Sequence, residues 1–387
     1  MNKPACDTKQ RIIECCALVL MLAASPAFAQ ASAPPRVPNA EILKLLVARV
    51  DVEKCGTGIV VGIIEPQGKR VLAYGTMGID DKRPVDGDTV FDLGSITKVF
   101  TALLLSDMVE RSEVALDDRA QKYLPIEVHL PTRGGKEITL VDLATHTAGL
   151  PGHPANLDPK DPEQSRGYTT ELLYQFLSSY VPPSDIGTHY QYSSVGYGLL
   201  GQVLSRRAGI SYEELLRLRI TQPLGMEDTR ITPTPQMLAH TPIGYDAHRL
   251  PLEHERFQVL GSAGALRSSA NDLLIFLEAV LDYRKTALLP ALGPMLNTRR
   301  PGGTPPAAGG LEGSTQIALG WNVFTHGSQE IVWKNGSVSG FRAFLGYDRR
   351  TRLGVVALIN AQTTGGADDI GLHILDARFK VATQSQQ

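Results

Sequence analysis

The chain of 387 residues carries 38 lysines and arginines against 40 aspartates and glutamates, is 43% hydrophobic and 20% charged, and has a formal net charge of -2. These are the proportions of a globular protein with enough apolar material for a sizeable core, and they exclude a disordered or fibrous chain. Basic residues are scattered rather than grouped, so no surface is built to neutralise phosphates, and nucleic acid is not an expected partner.

Residues 1–29 are expected to be a secretory signal peptide. Lys3, Lys9 and Arg11 make a positive start, Cys15–Ala24 is an unbroken run of ten apolar residues, and Ala27-Phe28-Ala29 is a small-x-small cleavage pattern ahead of Gln30. A buried N-terminal helix, the alternative, would leave Pro26 and the QASAPPRVP stretch of residues 30–38 unexplained. Cys6, Cys15 and Cys16 fall within the leader, so the exported product keeps only Cys55, which has no partner for an intramolecular disulfide and reads as a small packed side chain. No other apolar run approaches the ~20 residues needed to span a bilayer. The product is expected to be exported without a membrane span, to the periplasm or the medium.

After the leader, Gly58–Ile64 and Arg70–Tyr74 are β-rich runs separated by the turn signal Glu65-Pro66-Gln67-Gly68, a predicted hairpin. The largely apolar Val99–Val109 reads as a buried helix, and Thr170–Ser179, Tyr197–Ala208 and Tyr212–Ile220 have helical spacing. Pro/Gly-rich pieces, Leu150–Pro162 and Pro301–Gly310, read as loops. Gln329–Lys334, Arg342–Tyr347 and Leu353–Ile359 are further strands, and Asp368–Val381 a closing helix. A two-strand hairpin alone is marginal in water, so strands from the two chain ends are expected to pair in one antiparallel sheet. The predicted fold class is therefore α/β (α+β): a sheet flanked by helices from residues 30–112 and 258–387, with residues 113–257 as a mostly helical insertion.

Ser95-Ile96-Thr97-Lys98 stands at the head of the most apolar helix outside the leader. Residues three apart share a helix face, so the Lys98 ammonium can reach the Ser95 hydroxyl, and a desolvated lysine loses its proton and becomes a base. At the helix N-terminus, free N–H groups would stabilise negative charge developing at Ser95. Taken alone, the pair is as readily a helix N-cap beside a surface lysine. It is, however, the one Ser-x-x-Lys of the chain, Gly94 before it permits a tight entry, and neither a Gly-x-Ser-x-Gly elbow nor a His-Glu-x-x-His motif is present.

With Tyr192-Ser193-Ser194 and Lys334-Asn335-Gly336-Ser337 in order behind it, the motif resembles that of the serine β-lactamase and penicillin-binding protein superfamily, particularly the class C β-lactamases and the related D-alanyl-D-alanine peptidases and esterases. Flanking stretches are similar too: Leu143–Pro151, Gly196–Gly201, Gln222–Thr229 and Gly261–Ser269. The resemblance runs from about Gly58 to Ile359. It implies a β-lactamase/transpeptidase-like fold and an acyl-enzyme mechanism: Ser95 attacks an acyl carbonyl, Lys98 and Tyr192 share proton transfer to the leaving nitrogen, and the backbone N–H groups of Ser95 and Ser337 form an oxyanion hole. Lys334, with Asn335 and Gly336, would face the pocket and attract a substrate carboxylate. Ser194 stands where Asn is usual and Asn335 where Thr is usual, which bears on substrate choice and deacylation rather than on acylation. Asn360 could line the carboxylate end of the pocket or form a turn, and His146 is expected to order its loop rather than catalyse.

The motifs call for no metal or organic cofactor. The expected activity is β-lactam hydrolysis; a D-alanyl-D-alanine carboxypeptidase or endopeptidase, an esterase, and a penicillin-binding sensor that acylates without turnover would use the same residues. The substrate is thus a β-lactam or a D-Ala-D-Ala-like peptide, and the sequence carries no signal for oligomeric state.

Overall fold

A computed structural model describes residues 37–158, 167–255, 257–306, 311–362 and 366–382. The expected signal peptide lies outside the described residues, as do residues 159–162 and 307–310 of the two expected loops. The eight strands of the main sheet are β1 Gly58–Glu65, β2 Gly68–Gly75, β3 Arg300–Pro301, β4 Ser314–Ile317, β5 Asn322–His326, β6 Gln329–Val338, β7 Phe341–Asp348 and β8 Leu353–Ile359, in the spatial order β2-β1-β8-β7-β6-β5-β4-β3. All adjacent pairs are antiparallel. The two chain ends meet at β1, paired with β8 from Ile59 opposite Ile359 to Ile64 opposite Gly354.

Every residue of β1 is buried, because both faces of the sheet are covered. Successive side chains point to opposite faces. Val60 and Ile64 join the larger core, while Ile59, Val61 and Ile63 join a second core on the other side. The larger core takes the helices α2 Thr97–Glu110, α3 Thr170–Ser179, α4 Ser194–Ala208 and α5 Ala270–Val280; the second takes α1 Asn39–Val47 and α6 Asp368–Leu375. Burial on both faces explains why these strands read as continuous apolar runs rather than as alternating ones. In α2 all residues from Thr97 to Met108 are buried, as its all-round apolar composition predicts.

The sequence expectations differ from the structure at their edges. α4 starts three residues earlier than its apolar spacing suggests, because the Ser193 side chain accepts the Gly196 N–H and caps it at Ser194, and it ends where Gly209 turns left-handed at φ 74°. The closing helix stops at Leu375. Asp376 is extended there and accepts the Arg378 N–H, which returns Phe379 to the core against Phe324. The segment from Tyr212 stays α-helical only to Leu216 and widens to a π-type turn over Arg217–Thr221.

Candidate active site

The chain enters α2 through a single tight turn, Gly94–Ile96, in which Gly94 has φ 51°. A Cβ on Gly94 would lie 2.8 Å from the Ser337 backbone nitrogen, so the turn needs glycine for conformation and for space. One helical turn after the half-buried Ser95, Lys98 is fully buried. Its Nζ donates to Ser95 Oγ at 3.1 Å, to Ser194 Oγ at 3.3 Å and to the Ala263 carbonyl at 2.7 Å. Thr101, one further turn along α2, holds the same segment by donating to the Ser262 carbonyl at 2.6 Å. Burial brings the Lys98 pKa down to about 7, so the amine is partly unprotonated at neutral pH.

The Tyr192 hydroxyl donates to Ser95 Oγ at 2.5 Å. Lys98 Nζ lies 4.9 Å from the Tyr192 ring centre and Lys334 Nζ 5.3 Å, so two amines flank one phenol. His146 supports this arrangement from behind. It sits at φ 57°, its Nδ1 accepts the Ser193 N–H at 3.1 Å, and its ring packs 4.6 Å from that of Tyr192. Burial first, then the nearby Lys98 and Lys334 charges, hold its pKa well below the ordinary histidine value. A neutral imidazole accepting a backbone N–H is a loop-ordering group, in line with the sequence expectation.

Lys334, Asn335, Gly336 and Ser337 lie along the second half of β6. Here the pairing with β5 ends at Asn322 opposite Trp333, while pairing with β7 continues through Lys334 opposite Leu345 to Val338 opposite Phe341. One edge of β6 is thus open beside Ser95. Gly336 is where the two elements touch: a Cβ there would fall 1.8 Å from the Leu93 carbonyl oxygen and 3.0 Å from the Ser95 nitrogen. Buried Lys334 donates to the Asn335 carbonyl at 2.9 Å, and burial lowers its pKa, with Lys98 adding to the shift. The Asn335 amide is anchored to Asp368 Oδ2 at 2.7 Å.

A cleft of about 420 Å³ collects Ser95, Tyr192, Ser194, Lys334, Asn335 and Ser337, with Gly336 pressed behind them. Asn360 is not among its lining residues. Fully buried, it accepts the Thr57 and Gly58 N–H groups at 2.9 Å each and donates to Thr57 Oγ1 and the Ile243 carbonyl at 2.8 Å, which ties the start of β1 to the end of β8. These bonds are long-range ties between segments rather than a local turn. The walls include residues the sequence reading did not single out: His153, Leu157, Tyr168, Glu255, Phe257 and Leu260. Their segments carry no motif spacing. The Ala263 carbonyl that receives Lys98, by contrast, lies in Gly261–Ser269, already marked by its resemblance.

The chemistry available is acyl transfer: a hydroxyl between an amine poised near neutrality and a phenol, a cation close by, and two backbone segments held against each other. The Beta-lactamase family model matches residues 47–378. The chain is 26% identical over 390 residues to a beta-lactamase of Lysobacter lactamgenus, covering 92% of this chain and 94% of that one. To the D-alanyl-D-alanine-carboxypeptidase/endopeptidase AmpH of Escherichia coli K12 it is 33% identical over 189 residues, 46% of each chain. Among solved structures, a class C beta lactamase from Rhodobacter sphaeroides matches with a TM-score of 0.71 at 25% identity, covering 86% of this chain and 97% of that one. A Beta-lactamase/D-alanine Carboxypeptidase from Yersinia pestis, complexed with citrate, also reaches 0.71, at 22% identity over 88% of this chain and 98% of that one.

Proposed function

Since the chain belongs to the beta-lactamase family and is a serine hydrolase, we propose that it opens the amide of β-lactams through an acyl-enzyme on Ser95. The observation that carries this reading is the placement of Ser95 Oγ 3.1 Å from a buried amine with pKa about 7 and 2.5 Å from the Tyr192 hydroxyl. Oγ attacks the carbonyl carbon, and its proton passes to Lys98 Nζ directly or by way of Tyr192. The same pair returns a proton to the leaving nitrogen as the C–N bond breaks. Negative charge on the carbonyl oxygen would be met by the N–H groups of Ser95 and Ser337, whose backbones the two glycine contacts hold together. Lys334 would receive the substrate carboxylate. Water then hydrolyses the ester. The cleft would lie between the sheet region of residues 30–112 and 258–387 and the helical insertion of 113–257, and residues 1–29 would direct export to the periplasm or medium. Among the described residues no helix is long and apolar enough to cross a membrane.

A D-alanyl-D-alanine peptidase is the second reading. The open edge of β6 suits an extended peptide added as a strand, and the AmpH relative is named for that activity. Mature protein mixed with a chromogenic cephalosporin, followed by absorbance and intact mass with Ser95→Ala as control, separates the two. Catalytic colour that is lost in Ser95→Ala is the expected result. A lasting adduct with little turnover would replace β-lactam hydrolysis with the peptidase, and undiminished turnover by Ser95→Ala would remove Ser95 from the mechanism.

A further inference from the structure

The cleft has opposite charges at its two ends. Lys334 stands at the start of the open edge of β6, and Ser339 follows five residues later, just past Ser337. At about 3.3 Å per residue this is roughly 16 Å of chain. Glu255 lines the same cleft as Ser95, and Ser339 is close enough to favour its charged form. The Ser95 turn abuts Gly336 and Ser337, between the two. A substrate laid along the edge with its carboxylate on Lys334 and its reacting carbonyl at Ser95 therefore extends its acyl side chain toward Glu255.

That carboxylate lacks a cation among the described residues. Two neighbouring bases among the described residues are turned to Asp92: His254 Nδ1 lies 2.8 Å from one of its oxygens, and Arg267 Nε 2.5 Å from the other. Asp92 itself acts on Glu255 as a like charge, and burial together with that repulsion raises the Glu255 pKa. A carboxylate partly stripped of water and facing a like charge gains most from a cation brought by a ligand. Phe257 and Leu260 beside it offer apolar surface for the rest of the acyl group.

On the acyl-transfer reading above, we propose that Glu255 determines specificity by selecting acyl donors that bear an ammonium group on the side of the scissile amide opposite the carboxylate. The substrate class is thus zwitterionic: penicillins with an amino-bearing side chain, or peptides with a free amine that end in D-alanyl-D-alanine.

Two matched pairs test this in parallel: aminobenzylpenicillin against benzylpenicillin, and a D-alanyl-D-alanine tripeptide with a free against an acetylated amine. Each is read as the ratio of kcat/KM within the pair, so that a general loss of activity cancels. The wild type is expected to favour the amine-bearing member. Glu255→Gln should lower that ratio five- to tenfold, and Glu255→Lys should invert it. Equal rates within both pairs, or ratios untouched by both variants, would overturn the proposal. Turnover of peptides alone, with the amine preference intact, would overturn the β-lactamase reading and keep Glu255 in its role. Failure to turn over any of the four would overturn both.

Discussion

In the proposed mechanism a single residue, Lys98, would set both rate and stability. Its folded pKa of about 7 lies below the ~10.4 of an unfolded lysine because the site is dry. If the neutral amine is the base, kcat/KM falls about tenfold per pH unit below about 7, and Lys98→Met removes this limb while lowering acylation by about 10² to 10⁴. A wild-type profile flat from pH 5 to 8 would exclude Lys98 as the base. The same shift has a thermodynamic sign. Between the two pKa values the unfolded chain holds a proton that the native chain has lost, so stability rises with pH across that window, at most by about 1.4 kcal/mol per unit. Urea unfolding at pH 7 and 9.5 is expected to show wild type gaining on Lys98→Met as pH rises; a constant difference would contradict the buried, partly neutral amine. His146 would not interfere, because burial and the two lysines keep it uncharged.

At the scale of elements, the site is a contact between the turn before α2 and the open half of β6. Gly336 makes the contact possible, since an added Cβ would overlap the Leu93 carbonyl oxygen. Gly336→Ala must therefore push strand and turn apart. Covalent labelling by a fluorescent penicillin should fall at least about a hundredfold, with a stability loss of about 1 to 3 kcal/mol from overpacking. Labelling near the wild-type level would show that the two backbones need not touch. Central elements were legible from local pattern, because β-branched runs such as Gly58–Ile64 and the all-apolar helix after Ser95 admit few alternatives. The short strands β3, β4 and β5 were not. Their residues lack a clear period, and pairing with neighbours distant along the chain holds them in the sheet.

At the scale of the whole molecule, β1 joins strands from opposite ends of the chain, and Asn360 ties the start of one to the end of the other. A chain stopped after Pro306 would keep β1 and β2 but lose β8, β7 and much of both cores. It is expected to show no cooperative urea transition; a sharp one would mean that the first part folds without the last. Residue type and spacing marked Ser95 with Lys98 as a candidate pair, and the resemblance to the β-lactamase and penicillin-binding protein superfamily added Tyr192 and the Lys334–Ser337 segment. Only the tertiary structure could decide that Lys98 is dry, that the Ser194 hydroxyl reaches it, that Asn360 belongs to the frame and that Glu255 faces the cleft. Each of these depends on burial and on distances between segments far apart in the chain, which no local pattern encodes.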